Sequence, residues 1–132
     1  DAIMAFWGAP NADPQHARRA VAAALEMARE VEAFRAELAG TGIEFDVGIG
    51  IHSGEAVVGF IGADQRLDYT AIGDTVNLAS RIEGETKGRA RILVTEATRK
   101  ACENDYHWTS HGSVKVKGRA EPVNTYEPRG RT

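Results

Sequence analysis

Residues 45–52, FDVGIGIH, decide the fold class, because apolar side chains alternate along them with glycine, aspartate and histidine. Strict alternation predicts a strand over residues 45–51 with one apolar face and one face almost stripped of side chains. Glycines on a strand face indicate that another element or a ligand approaches the backbone closely. The segment therefore predicts a strand that is covered at short range on its glycine side.

The residues that follow predict a second strand and then a helix. Residues 53–55, Ser-Gly-Glu, resemble a turn into a strand at residues 56–61. We therefore expect a hairpin between that strand and the strand at residues 45–51, called the glycine strand below. Residues 62–68 are polar and predict a mobile loop, and residues 69–72 predict a short strand. The helix begins at Gly73-Asp74-Thr75 and continues to about Thr86, where Gly88 stops it.

The remaining segments predict elements of both kinds. Residues 1–7, one acid followed by six apolar residues, predict a strand covered on both faces, and Asp13 before Pro14 predicts a long helix that ends near Leu38. Further strands are predicted at residues 92–94, 108–117 and 123–126, and a short helix at residues 96–102. This alternation predicts an α/β sandwich with a mixed sheet.

Composition limits the classes of protein to which the chain can belong. With 132 residues, 42% apolar and 27% charged, it has the composition of one ordinary globular domain, residues 1–132. A single cysteine excludes an internal disulfide and favours a reducing, cytoplasmic setting. Residues 1–80 carry 5 basic and 12 acidic side chains, whereas residues 81–132 carry 11 and 7. The surplus of +4 in the second part suits an anionic ligand and is too weak for a nucleic-acid partner.

Residues 68–83 contain the strongest candidate for a site. Asn77 and Arg81 are four residues apart in the predicted helix, so they share one face. An amide and a guanidinium one turn apart can hold a hydroxyl and an anionic oxygen, as a ribose or phosphate requires. Taken alone, this spacing is more typical of a solvated helix face than of a binding site. The face expected to be buried comprises Val76, Ala79 and Ile82.

Four blocks of the sequence resemble one known family. Residues 1–10, residues 47–59, residues 69–83 and residues 116–118 together resemble the class III adenylyl/guanylyl cyclase catalytic domain, in the order and spacing typical of that family. The resemblance implies a ferredoxin-like α/β sandwich with a mixed, mainly antiparallel sheet. It also implies that the domain begins upstream of residue 1, so that the chain is truncated at its N-terminal side.

The resemblance assigns roles to five residues. Asp1 matches the second of two metal-binding aspartates, and two Mg²⁺ or Mn²⁺ ions are implied per site. Asn77 matches the asparagine that orients the ribose, and Arg81 the arginine that stabilises the phosphate in the transition state. Lys117 matches the lysine that binds the β- and γ-phosphates. Thr70 matches a base-selecting position where threonine accompanies adenine. Without the resemblance, Thr70 and Lys117 would be ordinary strand residues.

Two further carboxylates have simpler explanations. Asp74 is interpreted as the cap of the predicted helix. Asp68 is interpreted as an acidic residue of the polar loop.

The implied function is adenylate cyclase activity, the conversion of ATP to cyclic AMP and pyrophosphate. The alternatives are a guanylate cyclase and a non-catalytic module for dimerisation or nucleotide sensing, which need not keep Asp1, Asn77, Arg81 and Lys117. The resemblance implies a homodimer with shared sites and an upstream regulatory region that can carry membrane segments, the domain itself being cytoplasmic. Because the first metal aspartate belongs upstream of residue 1, we expect these 132 residues alone to be inactive.

Overall fold

The structure, a computed structural model, describes residues 2–132. In chain order its elements are α1 (His16–Leu38), β1 (Ile49–Ile51), β2 (Val57–Ala63), β3 (Arg66–Ile72), α2 (Asp74–Gly84), β4 (Ile92–Thr95), α3 (Glu96–Ala101), β5 (Tyr106–Val114) and β6 (Val123–Arg131). Within residues 2–132, none of the helices has the length and apolar character needed to cross a membrane.

The strands form a four-stranded sheet and a separate two-stranded ribbon. The sheet has the order β1-β4-β6-β5, in which β1 and β4 are parallel and the other two pairs are antiparallel. The ribbon consists of β2 and β3, paired antiparallel. The predicted α/β class with a mixed, mainly antiparallel sheet is therefore confirmed.

The central strand β4 separates two apolar clusters. Ile92 and Val94 point towards α1 and join the cluster of Ala17, Val21, Ala24, Cys102 and Tyr106. Leu93 points the other way and packs with Leu78 and Ile82 of α2. Since neighbouring residues of a strand face opposite sides, α1 and α2 cover opposite faces of the sheet.

The glycine face of β1 carries α2, as the sequence predicts. A Cβ atom on Gly50 would lie 2.3 Å from the backbone nitrogen of Glu83 and 2.6 Å from the carbonyl oxygen of Ala79. A Cβ on Gly48 would lie 2.1 Å from Oγ1 of Thr86. Only glycine leaves the helix room at this distance. The apolar face of the same strand packs on the α1 side, through Ile49 and Ile51.

The predicted hairpin between the glycine strand and the next strand is wrong. β1 pairs with β4, with Ile49 opposite Ile92, whereas β2 pairs with β3, with Val57 opposite Ile72. The region expected to be a mobile loop, residues 62–68, instead belongs to the ribbon and its tight turn. Asp68 accordingly lies in β3 and is not a loop residue.

Several predicted boundaries also shift. Residues 2–7 do not form a strand, because within the described part of the chain they have no ladder partner, and Ile3 is 97% exposed. Residues 45–48 lie outside β1, and the Arg91 guanidinium donates to the carbonyl of Val47 at 2.8 Å in place of a neighbouring strand. α1 begins at His16, after a turn at residues 14–15.

The two C-terminal strands are displaced from their predicted ranges as well. β5 begins two residues earlier than predicted and ends at Val114, three residues before the predicted end. β6 extends to Arg131, because its second half pairs with β5, with Tyr106 opposite Arg131.

Candidate active site

The outer face of α2 presents two of the candidate residues. The helix follows Gly73, whose carbonyl accepts a hydrogen bond from the backbone N–H of Asn77 at 3.1 Å. Leu78 and Ile82 are 2% and 0% exposed and anchor the helix to the sheet. Asn77 and Arg81 are exposed and lie one turn apart. The predicted common face for these two residues is thus present.

The buried face of α2 differs in detail from the predicted one. Ile82 is buried as predicted, whereas Val76 and Ala79 are only half-buried and Leu78, which was not predicted, is buried. Leu78 and Ile82 are four residues apart, so they share the face of α2 that packs with Leu93 of β4.

The guanidinium of Arg81 is held at two points and remains half-exposed. Its Nη1 lies 3.2 Å from Oε2 of Glu85, and its Nη2 donates to the carbonyl of Lys115 at 3.4 Å. A guanidinium has five N–H donors in a planar fork, so these contacts leave capacity for an anionic ligand. The second contact also draws the chain after β5 towards α2.

Lys117 lies two residues beyond that contact, in a turn. The backbone N–H of Arg119 donates to the carbonyl of Val116 at 3.1 Å, and Gly118 has a φ of +87°. Val116 packs against the apolar cluster beneath α2, while the side chain of Lys117 is exposed. The structure therefore brings the Lys117 segment next to the helix that carries Asn77 and Arg81.

Thr70 lies in the ribbon, close in sequence to the start of α2. It is half-buried in β3, opposite Gly59 of β2, and only Ala71, Ile72 and Gly73 separate it from the start of α2. The strand predicted around Thr70 is present and longer than predicted. None of the described hydrogen bonds involves the Thr70 side chain.

The proposed metal ligand lies outside the described residues. Asp1 precedes the described range, so its position relative to α2 stays a prediction. Within residues 2–132, no group of three or more histidine, cysteine, aspartate or glutamate side chains is placed to hold a metal ion. The described residues alone do not form a metal site.

Asp74 does not cap α2, contrary to the interpretation from sequence. The N-cap position is Gly73, and no side chain caps the helix. The carboxylate of Asp74 instead accepts from the guanidinium of Arg119 at 2.6 Å. A negative charge in the first turn of a helix is favourable in either case, because it lies near the positive end of the helix dipole.

His52 was not among the residues that the sequence indicated as functional. Its Nδ1 lies 2.7 Å from the hydroxyl of the buried Thr95, so it ties the end of β1 to the end of β4. Burial lowers the pKa of His52, and the nearby Arg119 guanidinium lowers it further, while Asp74 opposes both effects. The only signal in the sequence was its position directly after the glycine strand.

Comparison with known proteins gives the family. Residues 1–127 match the family described as the Adenylate and Guanylate cyclase catalytic domain. The chain belongs to this family. Adenylate cyclase 1 of Rhizobium meliloti (strain 1021) is 42% identical over 129 residues, which cover 96% of the chain and 19% of that relative.

Solved cyclase structures share the fold. The guanylyl cyclase Cya2 is 35% identical with a TM-score of 0.85, and the match covers 96% of this chain and 64% of the solved chain. The adenylyl cyclase CyaB from P. aeruginosa is 33% identical with a TM-score of 0.80, and 93% of the chain covers 64% of the solved one. The chain thus spans less than two thirds of these relatives, and both nucleotide specificities occur among them.

Proposed function

We propose that this cyclase domain is an adenylate cyclase, which converts ATP to 3′,5′-cyclic AMP and pyrophosphate. The observation that carries the proposal is the placement of Asn77 and Arg81 one turn apart on the exposed face of α2, beside the segment that bears Lys117. The amide of Asn77 and the cationic groups of Arg81 and Lys117 suit a ribose attached to a triphosphate.

In the proposed reaction the ribose 3′-oxygen attacks the α-phosphorus of the same nucleotide. A bond forms between these two atoms, the bond from the α-phosphorus to the bridging oxygen of the β-phosphate breaks, and the proton of the 3′-hydroxyl passes to solvent water. Negative charge grows on the α-phosphate oxygens and on the departing pyrophosphate. The protein has to align the attack and stabilise that charge.

Three side chains divide this task. Asn77 hydrogen-bonds the ribose and holds the 3′-oxygen in line with the bond that breaks. Arg81 donates to the α-phosphate oxygens, and the contact strengthens as their charge increases. Lys117 binds the β- and γ-phosphates and so contributes mainly to substrate binding.

Thr70 and the relatives named above bear on the choice of base. The resemblance associates threonine at this position with adenine, and the Rhizobium relative is named an adenylate cyclase. The solved guanylyl cyclase with 35% identity favours GTP as the second candidate. A side-by-side assay with both nucleotides discriminates between the two.

The metal requirement is part of the proposal. The family is metal-dependent, and the resemblance implies two Mg²⁺ or Mn²⁺ ions with Asp1 as one ligand. Within residues 2–132 no group of three or more histidine, cysteine, aspartate or glutamate side chains could hold these ions, so Asp1 would have to supply a ligand. When bound, the ions would activate the 3′-oxygen and neutralise charge on the phosphates.

A second copy of the domain is the proposed partner. The β2–β3 ribbon exposes Val57 at 65%, Phe60 at 72% and Leu67 at 57%, an apolar surface that a second copy would cover. In the proposed dimer Asp1 of one subunit approaches Asn77 and Arg81 of the other. An upstream regulatory region is also proposed, since the chain covers only 19% of the Rhizobium relative.

The test uses the full-length protein with ATP or GTP and either Mg²⁺ or Mn²⁺. Cyclic nucleotide and pyrophosphate are quantified separately. We expect equimolar cyclic AMP and pyrophosphate from ATP and much less product from GTP. A preference for GTP would establish the second candidate, and no product from either nucleotide would support a non-catalytic module.

A further inference from the structure

The turn that carries Lys117, defined here as residues 115–119 and called the Lys117 turn, is held in shape by its own backbone. The N–H of Arg119 donates to the carbonyl of Val116 at 3.1 Å. Gly118 has a φ of +87°, a conformation that side chains other than hydrogen disfavour. Lys117 therefore stands at the exposed tip of a tight turn whose own conformation is fixed.

The position of the Lys117 turn relative to α2 depends on contacts outside the turn. The carbonyl of Lys115 accepts from Arg81, towards the C-terminal end of α2. The side chain of Val116 packs on the cluster that contains Leu78 and Ile82. These two contacts fix the start of the turn, where the chain leaves β5.

An ion pair attaches the C-terminal end of the turn to α2. The guanidinium of Arg119 lies 2.6 Å from Oδ2 of Asp74, the first residue of α2. The Lys117 turn is thus attached to both ends of the same helix, and Lys117 lies between the two attachments in sequence. Of the contacts named, this ion pair alone can be removed without altering Arg81 or a side chain that packs on the apolar cluster.

We infer that the Asp74–Arg119 ion pair holds the Lys117 turn against the first turn of α2 and thereby positions the Lys117 ammonium relative to Asn77 and Arg81. Asp74 and Arg119 are positioning residues and touch no substrate. The effect on catalysis rests on the proposed function, in which Lys117 binds the terminal phosphates. The attachment of the turn to the helix does not depend on that function.

The exposure of the pair limits the expected effect. The side chains of Arg119 and Asp74 are 37% and 79% exposed, so water and salt screen their attraction. Loss of such a pair changes an equilibrium by about two- to fivefold. Since Lys117 binds phosphates in both the ground state and the transition state, the change belongs mainly in KM.

The first arm of the test measures kinetics of the full-length protein. The variants are Asp74→Asn, Arg119→Gln and the double variant, with Glu121→Gln as control. Glu121 is an exposed acid near the turn that forms no ion pair within residues 2–132. We expect KM for ATP to rise about two- to fivefold in each single variant, with kcat nearly unchanged and the control at wild-type values. KM of the double variant should be no higher than that of the more affected single variant, because the two substitutions remove the same contact.

The second arm needs no activity. Amide hydrogen exchange of a peptide covering residues 115–122 is followed without nucleotide. We expect it to accelerate about two- to fivefold in all three variants, but not in Glu121→Gln. Unchanged exchange, or additive effects of the two single substitutions, would overturn the inference. A fall in kcat at constant KM would overturn the positioning role. If the wild-type protein makes no cyclic nucleotide, the proposed function fails, and the exchange rates still decide whether the ion pair holds the turn.

Discussion

Substitution of Gly50 by alanine tests the link between the glycine strand and the candidate site. The new Cβ would lie 2.3 Å from the backbone nitrogen of Glu83, whereas ordinary contact begins at 3.4 Å. Backbone atoms cannot rotate away, so α2 has to retreat by about 1.1 Å, the difference between the two distances. We expect overpacking of this size to lower the free energy of unfolding by about 1–3 kcal/mol.

The same displacement moves Asn77 and Arg81, because both are carried by α2. A misplacement of about 1 Å in a positioned group reduces turnover by about a hundredfold. Urea unfolding followed by circular dichroism gives the stability, and cyclic AMP formation by the folded full-length variant gives kcat.

Gly84→Ala supplies a matched control on the same helix. A Cβ at Gly84, the last residue of α2, meets no atom within 4 Å, so alanine there should raise the free energy of unfolding by about 0.4–1 kcal/mol and leave turnover unchanged. Wild-type stability and turnover in Gly50→Ala would refute the packing of α2 on β1, and with it the explanation of the glycine pattern.

Three further predictions concern the site and its surroundings. Arg81→Ala should cost about 2.7–4 kcal/mol of transition-state stabilisation, seen as a lower kcat with little change in KM; unchanged turnover would remove Arg81 from the mechanism. Mixing full-length Asp1→Ala with full-length Arg81→Ala protein should restore part of the activity, because one site of the mixed dimer is intact; a verified mixed dimer without activity contradicts shared sites. Since the pKa of His52 is lowered in the fold, the unfolded chain binds the extra proton, and the free energy of unfolding should fall as the pH drops below 6.5. Urea unfolding at several pH values should show a weaker pH dependence in His52→Gln. An identical dependence in the variant would exclude His52 as its cause.

The sequence predicted the elements whose signals are local. Gly73-Asp74-Thr75 marks the start of α2, and the helix begins where that signal stands. Ile92 to Val94 form an apolar run and lie in the buried strand β4. The glycines at positions 48 and 50 indicated a close neighbour, which is α2. Each of these features depends on residues that are adjacent in the chain.

The errors concern partners that are distant in sequence. Residues 53–55 have turn-forming composition, yet β1 finds its partner in β4, about 40 residues away. The turn that joins β2 to β3 is Asp64-Gln65, which lacks the glycine that usually announces a two-residue turn. The pairing of Asp74 with Arg119 across 45 residues has no local signal at all. Pairing of this kind is decided by the packed structure.

The placement of β4 between the two helices has a consequence for thermal inactivation. Because Leu93 supports α2 while Ile92 and Val94 support α1, neither helix can detach without exposing a strand that the other also needs. Such a sheet and its helices melt as one cooperative unit. Heat should therefore abolish catalysis at the same temperature at which the whole domain loses its structure, with no earlier stage in which α2 alone has loosened.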